Sequence, residues 1–202
     1  QIMTFKSENF TNEIDYHLTC VNHNNGTNFV QSSLPKAIRE ARVITGRNID
    51  TGIPLEDADS KSKLGWWSGA VIYLTILDQI GTVYKLKNGN PRTTSTNSIK
   101  LALGYFAPEL SIQEISEIVV LRNAFHHDFS LLNIDSSNRP PNQRIYNNYG
   151  LNQNDDGPVV YLPKTNWDGN LLSLNSDNQT IINLKTFGDL VETIYHRLLQ
   201  YN

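Results

Sequence analysis

Apolar residues recur at helical spacing in five stretches of the 202-residue chain, separated by segments rich in Gly, Pro, Asn and Ser. The first covers residues 34–45. Ser33 can cap it, Pro35 sits in the first turn where its missing N–H costs nothing, and Gly46 follows the last periodic position. The longest stretch, residues 64–80, places Trp66, Ala70, Tyr73, Leu74 and Leu77 on one stripe, with Gly81 as the expected stop. Aromatics at this spacing, Trp66 and Trp67 included, read as core or dimer contact before binding platform. A short helix is expected from Asn97 or Ser98 to Phe106, ended by Pro108. Ser111 and Glu114 then have the capping-box spacing, and Ile115, Ile118, Val119 and Leu121 carry the pattern on, predicting a helix over 112–129. The last helix is expected over 186–199, with Thr186 and Asp189 at its start and Phe187, Leu190, Ile194 and Leu198 as its apolar stripe.

Strand signals are fewer. Residues 133–158 read as loop, whereas 159–162, 170–174 and 180–184 have the β-branched and apolar content of short strands. Ser176-Asp177-Asn178 suits a hairpin turn between the last two. Residues before Ser33 are polar, with a helical hint at 12–19, and 48–62 and 85–96 read as connections. The expected fold class is therefore mainly α: a helical core over about 34–130 and 186–200, and a small antiparallel β appendage over about 159–184 before the last helix, in one domain spanning 1–202.

Composition narrows the function classes. The chain is 39% hydrophobic and 18% charged, with a net charge of -3, so it carries no broad basic footprint and any RNA contact must be local. No apolar run approaches the roughly 20 residues that span a bilayer, and the first residues lack a secretory layout, so no membrane partner and a cytoplasmic location are the expectation. A single cysteine, Cys20, excludes an intramolecular disulfide or thiolate cluster and reads as a small apolar residue. Sequons at Asn9, Asn25 and Asn178 are what chance supplies in an asparagine-rich chain.

The segment with chemical content is Arg122-Asn123-Ala124-Phe125-His126-His127. On a helix Asn123 and His127 share a face, and Arg122, one step round, reaches the same space with its long arm. An imidazole that moves protons near neutral pH, a guanidinium that grips a phosphate and an amide that orients either suit phosphoryl transfer from RNA without metal or cofactor. Such residues more often form surface ion pairs. His126 is four residues from Arg122, so an Arg122–His126 pair is as natural as one with His127.

The order R-N-x-x-x-H late in a helical domain resembles the signature of the HEPN family, over roughly residues 34–130 and the closing helix. The resemblance implies an up-and-down helical bundle and metal-independent RNA cleavage, with Arg122, Asn123 and His127 as catalytic residues. It also implies a homodimer with the motif at the interface. His126, Asp128, Lys100, Arg139 and Arg144 are expected as supporting or phosphate-binding groups. Many members are toxins or phage-defence ribonucleases held by a protein antitoxin. In one branch the antitoxin modifies a tyrosine two residues after the histidine. Here that position is Phe129, which offers no hydroxyl, with Tyr146 and Tyr149 as the nearest substitutes. The alternatives are a non-catalytic helical module binding RNA, a nucleotide or a partner protein, and an interaction protein that recognises its target through the β appendage.

Overall fold

The computed structural model describes residues 2–4, 18, 22–24, 29–31, 33–55, 65–86, 97–125, 130–135, 145–153 and 157–201. The chain divides into two compact units, residues 1–109 with 190–202, and residues 110–189.

The first unit is built on helices α1 (Ser33–Ile44), α2 (Trp66–Val83) and α3 (Ser98–Phe106), with α2 packed against both of the others. Ala70, Tyr73, Leu74 and Leu77 are buried along α2, which is the stripe that the spacing predicts. Asn97 caps α3 by accepting from the Lys100 amide at 3.1 Å. Gly81 does not stop α2, which continues to Val83. It is instead the point of closest approach to α3, where an added Cβ would fall on the carbonyl of Ser98. Gly81→Ala forces two backbones apart and is expected to destabilise the protein by about 1–3 kcal/mol, read as a lower urea midpoint at unchanged slope. Two short antiparallel ladders complete this unit. Strand β1 (Ile2–Thr4) pairs with β4 (Tyr84–Leu86), and β2 (Asn22–Asn24) pairs with β3 (Phe29–Gln31).

The second unit corrects the expectation of a mainly α bundle with an antiparallel appendage. It holds helix α4 (Ile112–Asn123) and a four-stranded mixed sheet in the order β5-β6-β8-β7, so the chain is an α/β mix. Strands β5 (Leu132–Asp135) and β6 (Ile145–Asn152) come from the segment read as loop. They pair antiparallel, Leu132 opposite Asn148 and Ile134 opposite Tyr146. β6 also runs parallel to β8 (Thr180–Asn183), with Tyr149 opposite Thr180, and β7 (Val160–Tyr161) closes the other side of β8. An asparagine-rich strand is masked in the sequence because its pairing rests on backbone groups on both sides rather than on a continuous apolar face.

Residues 170–174 do not form the expected strand. Local side-chain bonds win there: Asp168 accepts from the Asn170 amide at 2.9 Å and Asn170 from the Leu172 amide at 3.0 Å, which closes a 3₁₀ turn over Leu171–Ser173. The Ser176–Asn178 segment is a second 3₁₀ turn in which Asn175 and Asn178 cap each other, and it leads into β8 without making a hairpin. Asn178 is 7% exposed and its amide is spent on the Asn175 N–H and the Ser173 carbonyl, which leaves no room for a glycan.

Helix α5 (Leu184–Tyr201) closes the chain; its first six residues belong to the second unit and its remainder to the first. Phe187, Leu190, Ile194 and Leu198 are all buried, as their spacing predicts. No helix among the described residues is long and apolar enough to cross a membrane.

Candidate functional site at helix α4

Helix α4 starts where the sequence places it. The Ser111 hydroxyl accepts from the Glu114 amide at 3.2 Å, and the Glu114 carboxylate accepts from the Ser111 amide at 2.7 Å, the reciprocal capping box. Ile115, Ile118, Val119 and Leu121 are buried, which fixes the rotation of the helix and sends Arg122 and Asn123 to its margin, both half-buried. Beyond Asn123 the helix widens into a π turn at Ala124 and Phe125, whose side chains are buried. The Ala124 amide is shared between the carbonyls of Val120 and Leu121.

At this end Arg122 Nη1 lies 3.4 Å from Asn123 Oδ1, so the amide oxygen steadies the guanidinium. Arg122 in the last turn also meets the negative end of the helix dipole. The structure thus brings Arg122 and Asn123 together. His126, His127, Asp128 and Phe129 lie outside the described residues, as do Arg139, Arg144 and Cys20. Lys100 is in the first turn of α3, in the first unit.

The second unit also holds a polar arrangement that the sequence reading missed. Tyr149, 1% exposed, donates its hydroxyl to Glu117 Oε2 at 2.9 Å, and the Thr180 hydroxyl lies 3.3 Å from the same oxygen. Burial, and then the adjacent Glu117 charge, push the Tyr149 phenol far above its ordinary value, so it stays protonated and donates to the carboxylate. A tyrosine so enclosed cannot serve as the modifiable substitute for Phe129. Around Glu117 opens a cleft of about 230 Å³, with Gln113 from α4, Tyr146, Asn147 and Asn148 from β6, Trp167, and Thr180 from β8 among its lining. The one signal that could have revealed this strand is the alternation Ile145, Tyr149, Leu151 within the asparagine run.

No protein-family model, curated protein or solved structure matches this chain.

Proposed function

We propose that the chain is a metal-independent endoribonuclease of the HEPN type, with Arg122, Asn123 and His127 as its catalytic residues. The observation that carries the reading is the placement of Arg122 beside Asn123 on the last turn of α4, in the order R-N-x-x-x-H. The His127 imidazole takes the proton of the ribose 2′-hydroxyl, the 2′-oxygen bonds to the adjacent phosphorus, and the bond to the 5′-oxygen breaks. That oxygen takes up a proton from water and leaves as a 5′-hydroxyl, while the other product ends in a 2′,3′-cyclic phosphate. Arg122 neutralises the charge that grows on the non-bridging oxygens, and Asn123 holds the guanidinium in place. The reading includes a homodimer in which the motifs of two copies line one cleft. The mixed sheet in the motif's own unit departs from the helical bundle that the resemblance implies, so the reading rests on the motif at the helix end.

A structured RNA incubated with the purified protein in excess chelator tests the proposal. Wild-type protein is expected to cleave it and His127→Ala to leave it intact; undiminished cleavage by that variant removes His127 from the site. A non-catalytic binding module is the second reading, favoured by the net charge of -3 and by Phe129 where one branch of the family carries a tyrosine. It expects ligand-dependent stabilisation without turnover.

A further inference from the structure

The cleft beside Glu117 has a donor and acceptor pattern that selects one kind of ligand. At about 230 Å³ it falls below the roughly 300–1,000 Å³ typical of sites for drug-sized molecules, and it suits a single heterocycle. Among the described residues its lining is polar and aromatic, with one carboxylate, Glu117, and no lysine or arginine.

Two polar groups keep an atom that no described residue engages. Asn148 is 6% exposed; its Oδ1 accepts from Gln179 at 3.4 Å, and its Nδ2 has no hydrogen-bond partner among the described residues. Glu117 engages Tyr149 and Thr180 through Oε2, which leaves Oε1 as an anionic acceptor. The aromatic wall is closely packed. Tyr146 and Trp167 meet edge to face, with centroids 6.1 Å apart at 77°. Gly169, at φ +85°, lies so close to the Tyr146 ring that an added Cβ would stand 2.7 Å from it.

We propose that this cleft holds an unpaired guanine base of RNA. Among the four common bases guanine alone sets two N–H donors side by side on its pairing edge, N1–H and N2–H, next to an acceptor, O6. A carboxylate oxygen takes the donors, the Asn148 amide donates to O6, and the Tyr146 ring offers a stacking surface, the usual mode for reading a splayed single-stranded base. Glu117 precedes Arg122 on the same helix by roughly 7.5 Å of axial rise. The assignment of the guanine to RNA rests on the ribonuclease reading, whereas base selectivity by the cleft does not.

Titration of the full chain with guanosine, adenosine, cytidine, uridine and glucose, followed by NMR or calorimetry, tests the cleft directly. Guanosine is expected to bind at least tenfold more tightly than the other ligands, and Glu117→Gln, which exchanges an acceptor for a donor, is expected to erase that preference. Equal affinity for the four nucleosides, or stronger binding of glucose, overturns the inference, and the wild-type ranking decides even if the variant does not fold. Mapping cut sites on a mixed-sequence RNA separates the two claims. Cuts clustered beside unpaired guanines support both, and cuts without guanine preference overturn this inference while leaving the ribonuclease in place. Guanosine-selective binding without any cleavage supports the cleft and removes the ribonuclease.

Discussion

Glu192→Ala is expected to destabilise the protein by about 3–5 kcal/mol, because it strands a buried guanidinium. Arg42 and Glu192 are only 5% and 8% exposed at their side chains, and they meet through two bonds, Nε to Oε1 at 2.9 Å and Nη2 to Oε2 at 2.7 Å. Burial opposes the charge on Arg42, but the Glu192 carboxylate outweighs it and holds the guanidinium above its ordinary value. The pair also shapes the chain after α1. Arg42 Nη1 donates to the carbonyls of Ile49 and Asp50 at 3.0 and 2.9 Å, and Gly52, at φ +75°, packs so tightly that an added Cβ would lie 2.8 Å from the Glu192 carboxylate. Removing the carboxylate therefore costs the ion pair and loosens residues 46–55. Replacing both partners with apolar residues of similar size, as in Arg42→Met with Glu192→Leu, is expected to recover much of the loss, since neither charge is then left buried alone. Urea denaturation of the two single variants and the double variant reads this. A loss below about 1 kcal/mol in Glu192→Ala would show that the pair is solvated in solution.

His127→Ala is expected to lower RNA cleavage by about 10²–10⁴-fold, the usual contribution of one general acid–base group. Arg122→Ala is expected to cost about 10²–10³-fold, as for loss of one donor to a developing oxyanion. Arg122→Lys keeps the charge but loses the planar fork, so it should fall between wild type and alanine. The two alanine changes combined should cost much less than the product of their separate effects, because the residues act on one transition state. Arg122 is half-buried at a helix end, so its replacement is expected to leave the melting temperature within a few degrees, which distinguishes a catalytic loss from unfolding. His126→Ala resolves the ambiguity of the paired histidines: it should retain most of the activity if His127 is the proton carrier.

Where local rules act alone, the sequence was legible. Ser111 and Glu114 announce the start of α4, Asn97 announces α3, and the stripes of α2 and α5 are buried as their spacing requires. Legibility failed where partners are distant in the chain. β6 is a central strand because β5 and β8 bond to its backbone, and eight residues containing three asparagines carry little trace of that. The Arg42–Glu192 pair joins positions 150 residues apart, and no local pattern points to it. Gly81 shows the converse error. A glycine at the end of an apolar stretch resembles a helix stop, yet its purpose is contact with Ser98 of α3. For the candidate site, the sequence identified Arg122 and Asn123, which do lie together. It missed Glu117, Tyr149 and Asn148, because their grouping depends on the strand that was read as loop.

The most direct test of the central claim is the chemistry of the RNA ends produced by wild-type protein in excess chelator. Ends of 2′,3′-cyclic phosphate and 5′-hydroxyl are expected, formed at rates unaffected by EDTA and lowered about 10²–10⁴-fold in His127→Ala. Products bearing 5′-phosphates, or cleavage that requires a divalent metal, would contradict it.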